Sequence, residues 1–122
     1  MIKGIGLTVI LGDIKSERSF SVFENFLLKN LSDKFIQESC QKYTKIPNAY
    51  KLEYFSVIDE NVSAEKVLYQ MNVIAGVLAM PWLVYFDKQG NNTEMIFNKT
   101  ENTYLAHENF SNIIWAHLQL IY

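Results

Sequence analysis

Two histidines, His107 and His117, and a single cysteine, Cys40, are the whole imidazole and thiol inventory of this chain. Metal sites, nucleophile–base pairs and general-base steps lean heavily on those side chains. The histidines stand ten residues apart, which is not a metal-ligand spacing. His107, beside Glu108 in a polar stretch, reads as a capping or surface residue. His117, among apolar neighbours at helical spacing, reads as hydrogen-bonded and partly buried. Cys40 has Lys42 nearby, and a cation lowers a thiol pKa, but a small residue packing in a helix is the simpler reading. Ser16, Ser19, Ser21 and Ser39 lack the glycine frame of a nucleophile elbow. Gly4-Ile5-Gly6 lacks the third glycine of a dinucleotide loop. The inventory points to a binder and not an enzyme, with no cofactor and no metal site expected.

Charge narrows the partner. Eleven basic and 13 acidic residues leave a net charge of −2, so the basic field of a nucleic-acid binder is missing. Lys and Arg crowd the first half, with only Lys66, Lys88 and Lys99 in the second. Aromatic residues make up 14% of the chain. Tyr43, Tyr50, Tyr69 and Tyr104, in turns or terminal regions, suit an interface, where Tyr supplies contact area with a polar handle. The candidate partner-binding residues are Asp59 and Glu60 in one turn, Asp87 and Glu94 in a hairpin, and Glu101, Tyr104 and Glu108 in the loop that follows. Such an acidic, aromatic-bearing surface fits a basic protein partner through charge steering.

The elements that must position these residues follow from periodicity. At 122 residues and 49% hydrophobic, the chain predicts a single domain, 1–122, burying roughly two-thirds of its unfolded surface. Residues 2–11 read as a first strand rather than a signal peptide, because glycines interrupt the run and charges follow at once. Phe20, Phe23, Leu27 and Leu31 recur at helical spacing. Ser32 to Tyr43 reads as a second short helix or a continuation of that one, ended by Pro47. From Ala49 to Ile58, Tyr50, Leu52, Tyr54 and Ser56 alternate with Lys51, Glu53, Phe55 and Val57, a strand covered mainly on one face. Asn61 or Ser63 caps a further helix with Val67, Leu68, Met71, Ile74, Ala75 and Leu78 on its apolar stripe.

The uncharged run from Val73 to Phe86 is too short to span a membrane and is broken by Pro81. It predicts a buried helix handing over to a buried strand. Residues 82–86 and 93–97 flank a Gly/Asn-rich loop as a hairpin. Phe110, Ile114, His117 or Leu118, and Ile121 predict a closing helix. The sum is an α+β fold, a mixed or antiparallel sheet with helices packed on it, in the order β-α-(α)-β-α-β-β-α. A lone cysteine allows no internal disulfide and suits a reducing, cytoplasmic location.

That layout resembles small bacterial immunity proteins of polymorphic-toxin and contact-dependent growth inhibition systems. The residues that carry the resemblance are a glycine-bearing opening strand, GIGLTVILGDI, and a phenylalanine-rich helix, SFSVFENFL. They continue through the helix VSAEKVLYQMNVIAGVL, which leads to WLVYFD, and a closing NTYLAHENFSNIIWAHL; KQGNNTEMIF stands where a proline-tryptophan segment would follow. The resemblance implies a cytoplasmic, non-enzymatic protein that binds a cognate toxin domain, a basic nuclease being one such target, and covers its active or substrate-binding site. An assembly subunit or other interaction module, a homo-oligomer among them, and a small enzyme remain the alternatives.

Overall fold

A computed structural model describes residues 2–16, 18–30, 35–99 and 112–122 of the chain. The elements run β1 (Gly4–Leu11), α1 (Arg18–Asn30), β2 (Phe35–Tyr43), β3 (Ala49–Val57), α2 (Ala64–Leu78), β4 (Leu83–Phe86), β5 (Asn92–Asn98) and β6 (Ile113–Ile121). The six strands form one sheet in the order β2-β3-β1-β6-β5-β4. Every neighbouring pair is antiparallel. The α+β class with helices on a sheet is as the sequence predicts.

Two segments differ from that expectation. Residues 35–43 and 113–121 are strands, not helices. In IIWAHLQLI the apolar residues satisfy both a helical and an alternating pattern. The alternation prevails because β1 and β5 each offer an unpaired edge, and β6 fills the slot between them. FIQESCQKY carries good helix formers, but β3 gives it an antiparallel ladder interrupted only at Glu38, and tertiary pairing overrides such weak propensities. The limits of α2 are as the sequence predicts. Ser63 is the N-cap of α2, its hydroxyl accepting from the Lys66 N–H at 3.3 Å, and Ala79 closes the helix in the left-handed region at φ 51°.

Both helices lie on the same side of the sheet. Phe23 and Leu27 of α1 and Val67, Met71, Ile74 and Leu78 of α2 form one core with Ile5, Leu7, Val9, Leu11, Leu52, Tyr54, Phe97, Ala116 and Leu118. Phe20 stacks edge-on against Tyr50, with centroids 4.9 Å apart. On α1, Glu24 Oε1 accepts from Gln37 Nε2 at 2.6 Å and from the Tyr54 hydroxyl at 3.0 Å, tying the helix to β2 and β3. Burial, then the neighbouring Glu24 charge, pushes the Tyr54 hydroxyl pKa well above its ordinary value. β4 is a further correction. It is an exposed edge strand, not a buried one, with Leu83 61% and Phe86 62% accessible.

Candidate functional site: the helix-free face of the sheet

Alternation along each strand sends every second residue away from the helices. The pairing register names that second face, which is helix-free among the described residues. β1 contributes Gly4, Gly6, Thr8 and Ile10, flanked by Val57, Phe55, Glu53 and Lys51 of β3 and by Ile121, Gln119, His117 and Trp115 of β6. Outward from β6 come Glu94, Ile96 and Asn98 of β5, then Tyr85 and Leu83 of β4. Ile36 of β2 lies beside Phe55. Antiparallel sheets with one open face ordinarily show water a polar set there. This face instead presents Ile36, Phe55, Val57, Leu83, Tyr85, Ile96, Trp115 and Ile121. Val57 is 59% and Ile36 63% accessible. Exposed apolar side chains grouped on one sheet face mark interaction sites.

Its polar groups are mostly paired within the face. His117 Nε2 lies 2.7 Å from Glu94 Oε2, and Lys51 Nζ lies 3.3 Å from Glu53 Oε1. The Trp115 and His117 rings sit 5.8 Å apart, tilted by 58°. His117 with Glu94 is the pair able to hold and move a proton here. Among the described residues neither group is hydrogen-bonded to a hydroxyl or thiol nucleophile. No group of three or more His, Cys, Asp or Glu able to hold a metal occurs among the described residues.

Each end of the sheet adds a groove of opposite character. At the Leu11 end, a cavity of about 430 Å³ opens on the helix-free face between Trp115, Tyr43, Ile10, Ile114, Lys45 and Lys51. At the Gly4 end, a cavity of about 380 Å³ beside α2 is lined by Asp59, Glu60 and Asp87 together with Val62, Leu68 and Tyr122.

The sequence-predicted residues therefore divide. The structure brings Asp59, Glu60 and Asp87 from two separate turns to one groove. Asp87 is partly engaged already: its Oδ1 accepts from the Gln89 and Asn91 backbone N–H groups, both at 2.9 Å, and so shapes the hairpin loop. Glu94 belongs to the helix-free face, bound to His117. Glu101, Tyr104 and Glu108 lie outside the described residues. Tyr50 faces the core side against Phe20, whereas Tyr43 reaches the upper groove. Sequence reasoning missed Trp115, Ile96, Leu83 and Tyr85 as surface groups. A period-two reading of 113–121 would have set Trp115, His117 and Ile121 on one face. Cys40, expected in a helix, is exposed on β2. Burial and the Glu24 charge raise its thiol pKa, contrary to activation by Lys42.

No protein-family model, curated protein or solved structure matches the chain. No helix among the described residues is long and apolar enough to cross a membrane.

Proposed function

We propose that this protein is an immunity protein, acting in the cytoplasm without catalysis, that binds a cognate toxin domain through the helix-free face of its sheet and so covers the toxin's active or substrate-binding site. The observation that carries the reading is the apolar, aromatic composition of a sheet face that no helix among the described residues covers. Burying such a face against a partner supplies the hydrophobic drive that specific association needs, and Trp and Tyr are the side chains most often found as energetic anchors. The acids Asp59, Glu60 and Asp87 form a negative rim around the groove beside α2, at the Gly4 end of the sheet rather than on the face itself. With the net charge of −2, that rim favours a basic partner such as a nuclease domain, because an acidic inhibitor imitates the phosphate backbone that such a domain binds. The rim governs encounter rate, and the apolar face governs lifetime.

The same face supports the second reading, a non-catalytic assembly subunit, since a sheet face of this composition also suits a permanent interface. Tagged protein passed through lysate of the source cells separates the two. Stoichiometric capture of the C-terminal domain of a large secreted protein, lost with Trp115→Ala, is the expected result. A folded bait that captures nothing while the toxin is demonstrably expressed overturns the immunity reading, and capture unchanged by Trp115→Ala overturns the placement on this face.

A further inference from the structure

β2 is one edge of the sheet, and among the described residues no strand pairs with its outer side. Its outward N–H and C=O groups are a template for another strand. Glu38, Cys40, Gln41 and Lys42 are all exposed. The opposite edge, β4, is only four residues long. The β2 sequence, moreover, complements itself in one antiparallel register. With Cys40 opposite Cys40 of a second copy, Glu38 faces Lys42, Lys42 faces Glu38, and Ser39 meets Gln41. Moving the register by one residue sets Glu38 against Gln41 or Tyr43. Centring it on Ser39 or Gln41 instead sets Lys42 against Ile36 or Cys40. Only the Cys40-centred arrangement opposes unlike charges, twice, and directly opposed unlike charges favour strand pairing.

We propose that a second copy of this chain pairs antiparallel with β2 about a two-fold axis at Cys40, joining two six-stranded sheets into one continuous sheet. Glu38 is the extra residue at the β2–β3 irregularity between Gln37 and Ser39, without a β3 partner of its own, so the pairing ends on it and runs from Glu38 to Lys42. An axis normal to the sheet puts both helix layers on one side and both helix-free faces on the other. The pairing thus leaves the surface assigned to the toxin uncovered and stands or falls separately from that assignment. Opposed Cα atoms in an antiparallel pair lie about 4.5–5.5 Å apart, within disulfide reach, so Cys40 is a built-in reporter. Its raised thiol pKa calls for an added oxidant as the trap.

Sedimentation equilibrium of the purified chain, from low micromolar to near-millimolar concentration, should show the mass rising from 14.2 kDa towards twice that value. Glu38→Lys or Lys42→Glu alone sets like charges opposite each other at two places and should weaken the dimer by roughly tenfold or more, whereas the double exchange should recover it to within about threefold. Diamide, which takes two electrons and two protons from a pair of Cys40 thiols and is itself reduced to a hydrazine, should trap a covalent dimer of the native chain and of the double exchange. It should trap far less of either single exchange and none of Cys40→Ser. Recovery in the double exchange separates broken pairing from a misfolded strand. A mass of 14.2 kDa at every concentration overturns the proposal, and so does a dimer indifferent to both single exchanges.

Discussion

The two faces of the sheet are built by the same strands, one residue out of step, and they differ in what holds their apolar groups. On the helix side Leu52, Phe97 and Leu118 are fully buried beneath α1 and α2. On the other side Trp115 and Ile96 are half-buried and Leu83 and Val57 stand open. The first set is accounted for by folding, since each such side chain removed from water contributes about 1.5–3 kcal/mol. The second set is not, because water still reaches it. Its composition is what a binding surface requires and what a solvated sheet face does not.

The sharpest break of that comparison comes from truncating one residue on each side. Leu118→Ala should cost roughly 2–5 kcal/mol, the range for emptying a packed site, whereas Tyr85→Ala, 41% accessible on the other face, should stay within about 1 kcal/mol. Urea unfolding of both variants checks this. Equal losses would mean that the second face is a core in its own right.

Gly4 is where the helix-free side should behave like the buried one. A Cβ there would lie 2.5 Å from Phe55 Cζ and 2.5 Å from the Ser56 carbonyl oxygen. The ring can turn away but the carbonyl is backbone, so Gly4→Ala should cost roughly 1–3 kcal/mol. Adding Phe55→Leu should recover only part of that loss in a double-mutant cycle.

The smallest effect probes the polar tie under the helices. Tyr54→Phe removes the hydroxyl from Glu24 and should cost about 1 kcal/mol near neutral pH. The Tyr54 pKa is raised in the folded state, so above its unfolded value near 10 the native protein binds more protons than the unfolded chain. Stability present below that pH is therefore lost as pH rises, by up to about 1.4 kcal/mol per unit. The Tyr54→Phe variant should lack this component of the alkaline slope in unfolding titrations between pH 9 and 11.

Much of the scaffold was legible because single patterns dominated. Phe23 and Leu27 on α1, the alternation of Leu52, Tyr54 and Ser56 on β3, the apolar stripe of α2 and the hairpin after Trp82 each admit one structure. Residues 35–43 and 113–121 admit two, and long-range pairing chose between them. The site was lost with them: Trp115 and His117 could not be set beside Ile96 and Glu94 while 110–121 was read as a helix. Asp59, Glu60 and Asp87 were legible as turn acids, yet their meeting in one groove depends on α2 carrying the chain from β3 across the sheet to β4. That distance is invisible in local spacing.

The place of β6 has a consequence for how the protein is made. β6, Ile113–Ile121, follows the other described strands in sequence and lies between β1 and β5, so a nascent chain holds two incomplete half-sheets until residue 121 leaves the ribosome. At about 5–20 residues per second, the first strand waits for seconds with Ile5, Leu7 and Val9 lacking their final neighbour. Folding of the whole sheet is then a single late event, and a chain cut short within β6 carries a sticky apolar edge, one suited to chaperones rather than to any partner.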